Sequence, residues 1–122
     1  MAGPIKLTLP YPPALNNLYI TVMMKGRPVR VPSGRAKAFK KEVQKIAQPF
    51  FRQLILGDVG ILFRLYRPRR VGDLDGYFKA VFDALTGIAW VDDGQITKID
   101  AERFEDKINP RVEIEIYARG LL

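Results

Sequence analysis

The chain has 122 residues, of which 48% are hydrophobic and 27% charged, a composition typical of one compact domain. Its length is too short for a dinucleotide-binding fold, a (β/α)8 barrel or a kinase. It has no Cys and no His, which excludes zinc-thiolate sites, thiol nucleophiles, Ser-His triads and histidine bases. The net charge of +7 is segregated, because residues 1–72 hold 14 basic and 2 acidic residues whereas residues 73–122 hold 6 and 11. A basic half favours a polyanionic partner such as nucleic acid, and the lack of any long apolar run predicts a cytoplasmic protein with no membrane partner.

The N-terminal residues predict a strand followed by an exposed loop. Residues 4–9 alternate between apolar and polar side chains, which is typical of a half-buried strand. Three prolines then follow within four residues, and they lack the amide hydrogen that a β-ladder needs. We therefore expect residues 10–17 to form a loop that exposes Asn16 and Asn17.

A hairpin and an amphipathic helix are predicted next. Short strands at residues 19–24 and 28–31 flank a Lys-Gly turn and predict a hairpin rich in basic residues. Ser33 fits the N-cap of a helix whose apolar residues recur at helical spacing and whose lysines lie mainly on the other side. Pro49 is expected to interrupt this helix because proline removes a backbone hydrogen bond.

The second half predicts one helix among three strands. Residues 59–67 alternate and predict a strand, whereas residues 73–87 carry an apolar helical stripe that begins near two Asp residues and ends at a Gly. Further strands are predicted at residues 96–105 and 111–117. This order predicts an α+β fold, a mixed β-sheet with two packed α-helices, and residues 1–122 are expected to form a single domain.

The residues that indicate chemistry are five aspartates in an otherwise basic protein: Asp73, Asp75, Asp83, Asp92 and Asp93. On a helix that begins near Asp73, the side chains of Asp75, Lys79 and Asp83 would share one face. Carboxylates at the start of a helix, with more after it, are the oxygen ligands that Mg²⁺ takes in phosphoryl-transfer enzymes. Structural roles also fit, because Asp caps helices, pairs with Lys on helix surfaces and is common in turns. The aspartates alone leave both interpretations open.

Several motifs together resemble those of a known family. Asp-Leu-Asp-x-x-x-Lys begins at residue 73, Phe-Asp-Ala-Leu-Thr-Gly at residue 82 and Trp-Val-Asp-Asp-Gly-Gln-Ile at residue 90. Near the N-terminus, Leu-Thr-Leu-Pro-Tyr-Pro-Pro from residue 7 is followed by Asn-Asn-x-Tyr from residue 16. This combination, spread over nearly the whole chain, resembles the RusA family of Holliday junction resolvases, the crossover junction endodeoxyribonucleases.

The resemblance implies a homodimeric, Mg²⁺-dependent endonuclease with a RusA-like fold and no organic cofactor, acting on DNA at the nucleoid. Such an enzyme binds four-way DNA junctions and resolves them by paired symmetric nicks during DNA recombination and repair. By motif, Asp73, Asp75 and Asp93 correspond to the catalytic carboxylates that bind the metal, and Lys79 corresponds to the active-site lysine.

Two departures from the family pattern affect this assignment. The family commonly has Asn after the second Asp, where this chain has Gly76. The gap between the helix and the Asp-Asp pair is also slightly shorter, which leaves the choice between Asp92 and Asp93 as the third carboxylate open.

The basic first half is expected to provide the DNA-binding surface. Arg69 and Arg70 match a basic run that the family has before its first Asp, although Val71-Gly72 intervene here. The residues expected to contact DNA are Arg67, Arg69, Arg70, Lys25, Arg27, Asn16 and Asn17. The alternative is a noncatalytic, architectural nucleic-acid-binding protein, which would bind a junction but never nick it.

Overall fold

The computed structural model describes residues 3–70 and 72–120, and its elements follow the predicted order. The strands are β1 (Ile5–Pro10), β2 (Tyr19–Met24), β3 (Arg27–Pro32), β4 (Asp58–Arg67), β5 (Ile96–Glu105) and β6 (Arg111–Gly120). The helices are α1 (Gly34–Ala47) and α2 (Phe78–Leu85). The α+β prediction is confirmed. In the described part of the chain, neither helix combines the length and the apolar character needed to cross a membrane.

A four-stranded mixed sheet, in the order β1-β6-β4-β5, forms the centre of the molecule. β6 is antiparallel to β1 and β4, whereas β5 runs parallel to β4 and is reached through α2. The register places Ile61 opposite Ile116 and Phe63 opposite Ile114, so alternate residues share one face. This face is buried because both helices pack on it, whereas the intervening strand residues, which lie on the opposite face of the sheet, are more exposed.

The hairpin of β2 and β3 is a separate two-stranded sheet that pairs with no other strand among the described residues. Its two turn residues, Lys25 and Gly26, have φ of 51° and 76°, the left-handed geometry that two-residue hairpin turns use. The Arg30 guanidinium lies 4.8 Å from the centroid of the Tyr19 ring, which joins the two strands on one face. The predicted basic hairpin is therefore confirmed.

Local signals set the ends of the two helices. The Ser33 hydroxyl accepts a hydrogen bond from the amide of Ala36 at 3.1 Å, so Ser33 is the predicted N-cap of α1. α1 ends at Ala47, and Pro49 lies in the 3₁₀ turn that follows. The second helix differs from the prediction, because residues Leu74–Tyr77 form a 3₁₀ turn and the α-helix begins only at Phe78. Gly76 lies within that turn, and Gly is a poor α-helix former.

Candidate active site

Asp73 and Asp75 lie in the connection between β4 and α2, where the 3₁₀ turn begins. Asp73 occupies the N-cap position, but only its backbone carbonyl accepts a hydrogen bond, from the amide of Gly76 at 3.1 Å. Both carboxylates are exposed and have no hydrogen-bond or ion-pair partner among residues 3–70 and 72–120. The capping role that a structural interpretation gives Asp73 is therefore not observed, and both side chains can bind a ligand.

The loop before Asp73 is fixed by Arg67, the last residue of β4. Its side chain is only 5% exposed; Nη1 donates to the carbonyl oxygen of Gly72 at 2.9 Å, and Nη2 donates to Oε1 of Glu105 at 3.3 Å. The expectation that Arg67 contacts DNA does not fit this position, because the guanidinium faces the protein interior. Arg67 instead joins the end of the sheet to the residue that precedes the first carboxylate.

Two tyrosines pack near the same loop. The rings of Tyr11 and Tyr77 have centroids 5.4 Å apart, and burial together with the hydrogen bond to Tyr77 raises the pKa of Tyr11 well above its ordinary value. Gly72 has φ of 81°, and a Cβ there would lie 2.7 Å from the Tyr77 hydroxyl oxygen. Only glycine therefore fits at this point of the loop without strain or displacement of Tyr77.

Lys79 pairs with Asp83 and not with Asp75. Its Nζ lies 3.2 Å from Oδ2 of Asp83, four residues further along α2, and this hydrogen bond is the main cause that raises the pKa of Lys79. The expected row of Asp75, Lys79 and Asp83 on one helix face is wrong, because Asp75 precedes the α-helix. Lys79 is an exposed, positively charged group in the first turn of α2.

Among the residues that the structure describes, the carboxylate of Asp92 accepts a hydrogen bond within the fold, whereas that of Asp93 does not. Oδ2 of Asp92 accepts a hydrogen bond from the amide of Gly94 at 2.9 Å, which caps the short 3₁₀ turn Asp93–Gln95. The Asp93 side chain is exposed and has no hydrogen-bond or ion-pair partner within the described ranges. Asp92 therefore has a structural role, whereas Asp93 remains available to bind a ligand.

The Asp73–Asp75 and Asp92–Asp93 segments are held at opposite ends of β4. Arg67, the last residue of β4, holds Gly72, whereas Gln95 donates a hydrogen bond at 2.9 Å to the carbonyl of Gly57, just before β4 begins. A ten-residue strand is about 30 Å long. Within the described residues, no three or more Asp or Glu side chains are grouped to hold a metal ion. The expectation that these carboxylates converge on one ion is therefore wrong for a single chain.

Six of the seven residues expected to contact DNA are exposed, and Arg67 is the exception. Lys25 and Arg27 lie at the tip of the hairpin, and Arg69 and Arg70 lie in the loop after β4. The Arg70 side chain is 84% exposed, although its Nε lies 3.7 Å from Glu105 Oε1. The other two are Asn16 and Asn17, in the 3₁₀ turn Leu15–Asn17 after the Pro-rich loop.

Sequence reasoning missed the structural roles of two residues near the acidic segments, Arg67 and Gln95. Arg67 continues the inward positions of β4, since Val59, Ile61, Phe63 and Leu65 alternate up to it, and this spacing could have indicated its burial. Gln95 stands three residues after Asp92, the spacing of a capping box, which could have indicated that it binds back to the start of the turn.

Comparison with known protein families supports the resemblance that the motifs indicate. The family described as Endodeoxyribonuclease RusA matches residues 10–117, nearly the whole chain, and the match includes both acidic segments and the connecting helix. No curated protein sequence matches the chain.

Proposed function

Since the chain belongs to the RusA endodeoxyribonuclease family and is therefore a nuclease, we propose that it resolves Holliday junctions by Mg²⁺-dependent, paired symmetric nicks in DNA recombination and repair. In this proposal residues 1–122 act as one endonuclease domain, working at the nucleoid in the cytoplasm. Family membership supports attack on DNA, and the assignment of roles to residues rests on the contacts of the aspartates.

The observation that carries the proposal is the division of the five aspartates into two groups. Asp83 is paired with Lys79 and Asp92 caps a turn, so both carboxylates are used within the fold. The three without such a partner in the described part of the chain are Asp73, Asp75 and Asp93. These are the three carboxylates that the motif resemblance assigns to catalysis.

The donor chemistry fits Mg²⁺. This ion prefers oxygen ligands, and in phosphoryl-transfer sites it is commonly held by one or two carboxylates while water and substrate phosphate complete the shell. Asp73 and Asp75 would provide that pair, with Asp93 as the third carboxylate. Once bound, the ion would neutralise charge on the scissile phosphate and activate water for the attack. Lys79, which is protonated at neutral pH and whose pKa the hydrogen bond to Asp83 raises further, would add positive charge near the phosphate.

A homodimer would bring the three carboxylates together. Because the two acidic segments of one chain are held at opposite ends of β4, we assign each metal site to Asp73 and Asp75 of one subunit and Asp93 of the other. A two-fold axis makes two such sites identical, as two symmetric cuts in a four-way junction require.

The exposed basic residues would supply the DNA surface. Lys25 and Arg27 extend from the body of the protein on the hairpin, whereas Arg69 and Arg70 lie only a few residues before Asp73. Asn16 and Asn17 add amide groups that bind phosphate or base edges. Each phosphate that these cations neutralise releases counterions, so affinity for the junction should fall steeply with salt concentration.

The test is incubation of the purified protein with a synthetic mobile four-way junction, either with Mg²⁺ or with EDTA. We expect paired symmetric nicks only with Mg²⁺ and a gel shift under both conditions. Asp73→Asn, Asp75→Asn and Asp93→Asn should each lower the nicking rate by about 100-fold or more while keeping the gel shift, whereas Asp83→Asn should retain most activity. A gel shift without any product, or full cleavage by an Asp73 or Asp75 variant, would contradict the proposal.

A further inference from the structure

We propose that Gln95 is a positioning residue that holds the Asp93 carboxylate in its catalytic orientation, an inference that rests on the proposed role of Asp93. Asp93 lies in a 3₁₀ turn of only three residues, next to Gly94. Such a short turn has few hydrogen bonds of its own, so its orientation depends on contacts with the rest of the protein.

The Gln95 side chain makes four hydrogen bonds that tie this turn to a distant loop. Its Oε1 accepts from the amides of Val91 at 2.8 Å and Asp92 at 2.9 Å. Its Nε2 donates to the carbonyls of Ile55 at 2.7 Å and Gly57 at 2.9 Å, about 40 residues earlier in the chain. The segment before Asp93 is therefore attached to the segment that leads into β4.

Glutamine is well matched to this position chemically. A side-chain amide has two acceptor sites and two donor hydrogens, and all four are used here. Glu would keep the two contacts with amides but would place a carboxylate against two carbonyl oxygens. Leu would occupy a similar volume with no polar contact. Because catalytic carboxylates tolerate little displacement, loosening this attachment should reduce the rate of cleavage more than binding of DNA.

The test compares Gln95→Leu and Gln95→Glu with Thr86→Val in the intact protein. Thr86 offers a matched control, since its hydroxyl accepts a 3.0 Å hydrogen bond from the buried Trp90 Nε1 and, in the described part of the chain, makes no hydrogen bond to residues 91–95. Three quantities are measured: the single-turnover nicking rate on a four-way junction in Mg²⁺, the junction affinity in EDTA and the melting temperature.

We expect nicking by Gln95→Leu to fall by about 10- to 100-fold, and that by Gln95→Glu to fall by a smaller factor, with junction affinity within about twofold of wild type. Thr86→Val should lower the melting temperature but keep nicking within about twofold. The inference is overturned if either folded Gln95 variant nicks at the wild-type rate, if Thr86→Val loses as much nicking as Gln95→Leu, or if neither Gln95 variant folds.

Asp93→Asn, assayed in parallel, separates this inference from the proposed function. An impaired Asp93→Asn together with active Gln95 variants would overturn only the positioning role. If Asp93→Asn nicks at the wild-type rate, Asp93 does not belong to the proposed site, and the positioning role of Gln95 is overturned as well.

Discussion

Replacement of Arg67 by Met tests whether this arginine holds the loop that precedes Asp73 or binds DNA. Met keeps much of the side-chain volume but removes the hydrogen bonds to Gly72 and Glu105. Hydrogen bonds to a charged group contribute about 1.5–3 kcal/mol each, but the Glu105 side chain is 51% exposed, so its contribution is reduced by solvent. We expect a loss of about 3 kcal/mol in the free energy of unfolding, or roughly 10 °C in Tm.

Arg69→Met is the matched control, because Arg69 is exposed and has no hydrogen-bond or ion-pair partner in the described part of the chain. Its effect on stability should be within about 0.5 kcal/mol. If Arg69 contacts one phosphate, its loss should reduce the slope of log affinity against log salt concentration by about 0.9. Arg67→Met should leave that slope unchanged while nicking falls, because the Gly72 carbonyl loses its partner.

Urea unfolding and junction binding at several salt concentrations give both quantities. The reasoning would be refuted by an Arg67→Met protein of wild-type stability with a reduced salt slope, since that result would identify Arg67 as a phosphate contact.

Two further changes test the loops at the ends of the sheet. Gly72→Ala should destabilise the protein by about 1–2 kcal/mol and slow nicking, because Ala disfavours φ of 81° and its Cβ would meet the Tyr77 hydroxyl. Urea unfolding measures the loss of stability, and the nicking assay measures the loss of activity. Wild-type values in both assays would contradict this prediction. In the turn between β5 and β6, the backbone amide of Asn109 and the side chain of Arg111 lower the pKa of Asp106 from its ordinary value of 3.8. This stabilisation is present above pH 3.8 and is lost as the pH falls through and below that value, so Asp106→Asn should flatten the acid side of a plot of urea midpoint against pH, and an unchanged slope would argue against it.

The strands could be predicted from sequence because one face of the sheet is buried. Alternating apolar residues in β1, β4 and β6 correspond directly to the covered face, and Ser33 marked the start of α1. β5 alternates poorly, because most of its residues are exposed at the edge of the sheet. Its alternation therefore carries little information, and its pairing with β4 depends on tertiary structure.

The role of Arg67 was missed because its charge was given more weight than its position. Strand alternation places it inward, but a basic residue near Arg69 and Arg70 is easily assigned to DNA contact. Burial of Arg67 needs hydrogen-bond acceptors, and the sequence does not show that the Gly72 carbonyl and the Glu105 carboxylate are among them.

The arrangement of the aspartates could be predicted only in part. The motif resemblance assigned Asp73, Asp75 and Asp93 to catalysis but left Asp92 open as the third carboxylate, and the structure shows that Asp92 caps a turn. Their positions relative to one another depend on topology, because a parallel β4–β5 pair requires α2 to return along the sheet to the start of β4. Aspartates about 20 residues apart in the chain are thereby separated by the length of a strand.

Mixing two inactive variants tests the central claim, that each site combines Asp73 and Asp75 of one subunit with Asp93 of the other. Asp73→Asn and Asp93→Asn proteins, each almost inactive alone, are mixed in equal amounts, allowed to exchange subunits and assayed for nicking of a four-way junction in Mg²⁺. A mixed dimer then has one site with both substitutions and one site with none. Random exchange should restore about one quarter of wild-type nicking, with single rather than paired cuts. Nicking that stays at the level of the separate variants after confirmed subunit exchange would contradict the shared site.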